Sequence, residues 1–408
     1  MSDKTARTSF FRVILYVLIA SVFFFSFGLA GRYPFNYITI ALWLLLGGFY
    51  FLCRRLNRIK LFKFRIDLFA IAVTVYCLAL LLSYALSGFT IFSKSGIVCA
   101  LSGLLLYWMC SDGLISKRGV LSCACLGAVA YLLLFAIVYR SDILHPNFSS
   151  RIGAFFDNAN EVGLNTALCS ILLFGFGLAS NNWFLKIGCF FFSFLSFYFI
   201  LLTGSVSTTL TLSFALLVAI PFYFKKHRWI VSLLEALVVG LGLFCVFTLP
   251  SFSYYASRIR GMLGSLGLEN NTGDASAEMR FISIIAGLRI FLNNPLFGAG
   301  NDAVVRSYTV MSHNNFAEVL ADYGIFAFIA YEATMIVPLS RLKNTKEPYK
   351  NMVLPLLVFC FVFQFFLFTF DSKCTSLIIA TCFYLVFPEG CYTNGMKRRR
   401  IKCTRIEI

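Results

Sequence analysis

The chain has 408 residues, of which 59% are hydrophobic and 13% charged, with a mean hydropathy of +0.82. Soluble domains carry about 25% charged residues, so the composition excludes an ordinary water-soluble protein and calls for lipid as the solvent. The net charge of +17 does not indicate a nucleic-acid partner, because the basic residues sit in short clusters between apolar runs, as orientation signals do.

A helix needs about 20 apolar residues to cross a bilayer. Twelve stretches qualify as candidate spans, near residues 11–30, 36–53, 66–88, 96–110, 119–139, 162–180, 187–203, 207–224, 229–249, 316–338, 352–370 and 375–389. The first follows Lys4, Arg7 and Arg12 and reads as an uncleaved signal anchor. The division between the seventh and eighth falls inside "LLTGSVSTTLT". With the N-terminus in the cytoplasm, 25 of the 35 lysines and arginines lie on the cytoplasmic side. The other 10 are Arg32, Lys94, Arg140, Arg151, Lys373 and the five arginines of one long loop. This asymmetry predicts both termini inside. The expected fold is all-α, a single polytopic membrane domain over 1–408 with about 12 transmembrane helices.

The fourteen cysteines are scattered through apolar segments, with Cys123 and Cys125 two apart and no pair of C-x-x-C units. That spacing argues against a zinc site, and the cysteines read as small membrane-helix residues. No metal-ligand cluster stands out, so no metal and no cofactor are expected.

The long outside loop runs from 250 to 315 and has the pattern of a folded piece rather than a tether. In "GDASAEMRFISIIAGLRIFLNN", Asp274 or Ser276 can cap a helix, and Glu278 sits in its first turn. Phe281, Ile284, Ile285, Leu288, Phe291 and Leu292 then recur at helical spacing, which predicts a helix along the membrane surface or on the bundle. Pro295, Gly298 and Gly300 predict a turn after it. The loop carries Arg258, Arg260, Arg280, Arg289 and Arg306 and no lysine. Guanidinium forks match phosphate oxygens, although arginines beside a membrane also reach for lipid headgroups. The loop ends at "SHNNFAEVLADYG", where His313, one of three histidines, stands beside Asn314 and Asn315. Either this cluster serves chemistry, or His313 and Asn315 merely cap the tenth span. Glu161, Glu318, Asp322 and Glu332 are acids at or within spans, which makes them functional candidates by position.

"RFISIIAGLRIFLNNPLFGAGND" followed by "SHNNFAEVLADYGIFAFIAYEA" resembles the core of the O-antigen ligase and O-antigen polymerase (Wzy-type) superfamily. "RIGAFFDNANEVGLNTALCSILLF" is similar to that family's approach to its sixth span, with Asn160 as the matching asparagine. The resemblance covers roughly 151–338. One position departs: after "T-G-S" many members carry an arginine, where this chain has Val206. Arg151, Arg258 or Arg260 would then have to supply the charge.

The resemblance implies a metal-independent membrane glycosyltransferase on the outer face of a bacterial cytoplasmic (inner) membrane. Its donor would be an undecaprenyl-pyrophosphate-linked glycan and its acceptor a sugar hydroxyl of a growing surface polysaccharide, whether O-antigen of lipopolysaccharide, capsule or exopolysaccharide. Such chemistry needs cations for the leaving pyrophosphate and a base near the acceptor hydroxyl. On this reading His313 orients or deprotonates the acceptor, Arg280 faces the pyrophosphate and Asn314 positions one of them. Asn160, Arg151, Arg258, Arg260 and Arg289 complete the substrate-binding set. A flippase and a chain-length regulator are the expected protein partners. Two alternatives remain: a ligase moving the glycan to lipid A core or protein, and a lipid-linked oligosaccharide transporter. A transporter should show repeated halves, and the chain shows no internal repeat.

Overall fold

The computed structural model describes residues 2–29, 35–56, 67–88, 91, 93–111, 115–146, 151–153, 155–156, 158–223, 228–265, 275–309, 314–367 and 369–386. Among these residues there are sixteen α-helices and no strand. They are α1 (Ser2–Gly28), α2 (Phe35–Leu56), α3 (Leu68–Leu86), α4 (Lys94–Ser111), α5 (Lys117–Val138), α6 (Arg140–Leu144), α7 (Ala159–Ala179), α8 (Trp183–Thr203), α9 (Val206–Tyr223) and α10 (Arg228–Thr248). There follow α11 (Ser253–Ser265), α12 (Ala275–Asn293), α13 (Ala303–Tyr308), α14 (Asn315–Arg341), α15 (Glu347–Phe363) and α16 (Lys373–Val386). Lipid offers the backbone no hydrogen-bond partner, so a long apolar run must satisfy its own amides, and a helix does this within one segment.

Each of the twelve expected spans falls on one helix: α1 to α5, α7 to α10, and α14 to α16. Among the described residues, seven helices (α1, α3, α4, α5, α7, α8 and α14) are long and apolar enough to cross a membrane, and α2, α9, α12, α15 and α16 carry shorter apolar stretches. The chain is an all-α polytopic membrane protein. The expected turn between the seventh and eighth spans lies at Gly204 and Ser205. The polar segment 250–315 contains α11, α12 and α13, with α12 over the stretch whose periodicity predicts it.

The helix α7 is the hub of the bundle. It packs against α5, α8, α9 and α15, and 78% of its most apolar window is buried. It is apolar on all sides and rich in small residues, which lets neighbours approach closely. In α8 only 33% of the window is buried, and Phe184, Phe191 and Phe194 point outward. Such a face suits lipid tails rather than water.

The turn after α12 and the helix α14 interlock. Gly324 interrupts α14 with φ 76° and ψ −172°. Backbone amides bridge the break: Ala299 N–H donates to Ala321 O (2.8 Å), Gly300 N–H to Asp322 O (3.0 Å) and Ile325 N–H to Pro295 O (2.9 Å). A Cβ at Gly298 would lie 2.3 Å from the Asp322 carbonyl carbon, and one at Gly324 would lie 2.4 Å from that of Leu296. The "P-L-F-G-A-G" turn predicted from sequence is thus threaded into the break of α14, and only glycine permits the contact.

Candidate functional site

Two polar assemblies involve the residues singled out by sequence. The first forms where the N-terminus of α7 meets the α8–α9 turn. Asn158 caps α7, its Oδ1 accepting from the backbone N–H groups of Asn160 and Glu161, both at 3.0 Å. Asn160, two residues later, accepts through Oδ1 from Arg151 Nη2 (2.8 Å) and from Ser205 Oγ (3.1 Å). Ser205 also shares a hydrogen bond with Thr208 at 2.8 Å. Arg151 Nε reaches toward Thr203 O at 3.5 Å. A guanidinium has five N–H donors, more than these two acceptors use, and Arg151 is exposed.

The backbone of the turn explains why the arginine can lie there. Gly204 has φ +63°, and a Cβ on it would lie 3.0 Å from Arg151 Cγ. The stem of Arg151 therefore packs on the glycine. Val206, which stands where the resemblance expects an arginine, starts α9 and is buried. The helix α11 covers the turn: Tyr255 donates its hydroxyl hydrogen to Leu201 O at 2.6 Å. Burial raises the Tyr255 phenol above its ordinary pKa, so it remains a neutral donor.

Of the other arginines weighed for the missing charge, Arg258 is half-buried on α11. Arg260 lies over the Phe247 ring at 5.6 Å from its centroid, a cation–π placement that engages its face. Arg289 is exposed on α12. Arg306 donates from Nη2 to Ala299 O at 2.7 Å and braces the threaded turn.

The second assembly surrounds the N-terminus of α14. His313 lies outside the described residues, as does the side chain of Arg280, whose backbone belongs to α12. The helices α12 and α14 pack on each other. Asn314 is the cap of α14: its Oδ1 accepts from Ala317 N–H at 2.9 Å, and its Nδ2 donates to Phe365 O at 3.4 Å. Capping therefore falls to Asn314, between the two residues that sequence offered as caps. Asn315 is a buried tie, donating from Nδ2 to Gln364 Oε1 (2.6 Å) and accepting at Oδ1 from Thr369 and Phe370 N–H (2.8 and 3.0 Å). Asp322, a candidate by its position, accepts from the N–H groups of Asp302 and Ala303, both at 2.9 Å, and so fixes the start of α13. Tyr323 donates to Asn301 in the same turn. Glu332 accepts from Gln364 Nε2 at 3.4 Å. His145 is exposed just after α6, and His227 lies outside the described residues.

Sequence reading did not single out Ser205, Thr208 or Asn158. The signal was present in "T-G-S-V-S-T-T", a run of small hydroxyl residues between two apolar helices, yet nothing local says that Arg151 and Asn160 close on it. No curated protein matches the chain. Residues 191–331 match a family model described as O-antigen ligase. The match runs from within α8 to within α14, while the segment 151–174 lies before it. The α8–α9 turn, the threaded loop and the start of α14 thus all fall within a match consistent with membership of the O-antigen ligase and O-antigen polymerase superfamily.

Proposed function

We propose that the protein transfers a glycan from an undecaprenyl-pyrophosphate carrier to a sugar hydroxyl of a growing surface polysaccharide, at the outer face of a bacterial cytoplasmic membrane. The observation that carries this reading is Arg151, seated on the Gly204 turn and held by Asn160. It brings a cation to the turn where the resemblance expects one and where Val206 offers none. Arg280 supplies a second cation and His313 the base for the acceptor hydroxyl. Arginines stabilise the leaving pyrophosphate, so the step needs no metal. Arg258 and Arg289 border the donor's approach on α11 and α12. Both termini are cytoplasmic, and a flippase and a chain-length regulator act beside the enzyme.

The matched family's description favours one second reading: a ligase that moves the finished glycan to lipid A core or protein. Complementation separates the two. The gene is deleted in its host and restored as wild type, His313→Ala or Arg280→Ala, with membrane abundance checked. For a polymerase, the variants reduce the surface-glycan ladder to single repeat units. Lipid-linked polymer that never reaches its final acceptor means a ligase. An unchanged ladder removes His313 and Arg280 from the chemistry. Activity in purified membranes should persist in a chelator, and its loss there would overturn metal independence.

A further inference from the structure

On the side of α7 away from the Ser205 turn lies a cavity of about 210 Å³. Its walls come from the end of α1 (Ser26), the start of α4 (Ser95), the first turns of α7 (Glu161 and Asn165) and the start of α16 (Asp371 to Lys373). A water needs about 10–15 Å³ of such space, so the cavity admits a molecule much larger than one bridging water. Two of the residues that line it each hold a buried polar atom with no hydrogen-bond partner among the described residues: Ser26 Oγ and Asn165 Oδ1. Ser26 is 5% exposed. A buried polar atom without a partner costs about 1–3 kcal/mol, and native chains keep few of them. Two in one cavity mark a place that something else completes.

The chemistry of the wall limits what that is. Asn165 Oδ1 accepts only, a serine hydroxyl donates or accepts, and the carboxylates of Glu161 and Asp371 accept. Two carboxyl groups, Glu161 and Asp371, stand against one ammonium, Lys373, which disfavours a phosphate or other anion. Among the described residues no group of three or more His, Cys, Asp or Glu is placed to hold a metal ion. A neutral molecule dense in hydroxyl groups supplies both the donors and the acceptors. We propose that this cavity is a sugar subsite, which takes an uncharged hydroxyl-rich unit of the glycan. The inference rests on the transfer reading given above and adds a division of labour to it. Asn160 and Glu161 are adjacent on α7, so one turn of helix serves the arginine side through Asn160 and the sugar side through Glu161 and Asn165.

The test uses the purified full chain in lipid nanodiscs. The probe is the free repeat-unit oligosaccharide, released from the host's own surface glycan, and its binding is followed by saturation-transfer NMR. The wild type should bind it. Ser26→Ala and Asn165→Leu should each weaken binding about tenfold, a loss of about 1.4 kcal/mol. Both should leave the thermal midpoint unchanged or raised, because each removes a polar atom that the empty protein leaves unsatisfied. Binding retained in both variants overturns the subsite, as does a wild type that binds no oligosaccharide. A lowered midpoint in both variants also overturns it, since the cavity then holds structural water. The transfer reading fails separately, if deletion of the gene leaves the glycan ladder unchanged while cavity-dependent sugar binding persists.

Discussion

The α12–α14 clasp and the α7–α9 turn are both polar islands in an apolar chain, and they spend their polar groups differently. In the clasp, polarity is consumed by the fold. Asp322 holds two backbone amides, Asn315 ties α14 to the segment before α16, and Arg306 braces the loop that carries it. At the turn, Arg151 is anchored through Asn160 yet keeps donors and remains exposed. A dense cluster of polar residues is therefore a poor guide to chemistry in a membrane protein. What distinguishes a candidate site is whether its polar groups are already paired.

The largest effect expected in this contrast is structural. Gly298→Val or Gly324→Ala would force a Cβ to within 2.3–2.4 Å of backbone carbon, and neither main chain can yield. Membrane abundance should fall below detection, since such overpacking with backbone strain exceeds about 4 kcal/mol. Normal accumulation of either variant would show that the clasp is adjustable. Arg151→Ala should come next, with a loss of about a hundredfold or more in glycan transfer at unchanged abundance. Loss of abundance along with activity would make Arg151 a structural residue like Arg306. Asp322→Asn is the smaller converse. One of its two backbone donors would face an amide NH₂, so stability should drop by about 1–3 kcal/mol, read as a lowered thermal midpoint. A transfer defect at normal stability would place Asp322 in the chemistry instead. Arg260→Ala should matter least, about 1 kcal/mol or less for an exposed cation on Phe247, with the glycan ladder unchanged. A collapsed ladder there would move the phosphate contact from Arg151 to α11.

Much of the fold was legible because the lipid constraint is simple. Apolar runs of span length had to be helices, and each of the twelve falls on one, although α15 ends at Phe363, short of the expected 370. The periodicity of Phe281 to Leu292 located α12, and Pro295 with the two following glycines located the turn. The break at Gly324 was not legible, because a lone glycine in an apolar helix gives no hint that a distant loop passes through it. The site was legible only in part. "S-H-N-N" drew attention by its polarity, and Asn314 proved to be the cap of α14. Asn160 and Arg151 were named from resemblance and from the charge missing at Val206. Their pairing depends on Gly204 at φ +63°, a backbone state set by the α8–α9 junction. The cavity behind α7 joins four separated segments, and no spacing along the chain reveals it.

The central claim is that Arg151 supplies the cation that the α8–α9 turn lacks at Val206. The most direct measurement compares the host's surface-glycan ladder for wild type, Arg151→Ala, Arg151→Lys and the double variant Arg151→Ala with Val206→Arg, at matched membrane abundance. The account predicts a collapsed ladder for Arg151→Ala, partial recovery for Arg151→Lys because an ammonium lacks the bidentate fork, and recovery in the double variant. A full-length ladder from Arg151→Ala would contradict it.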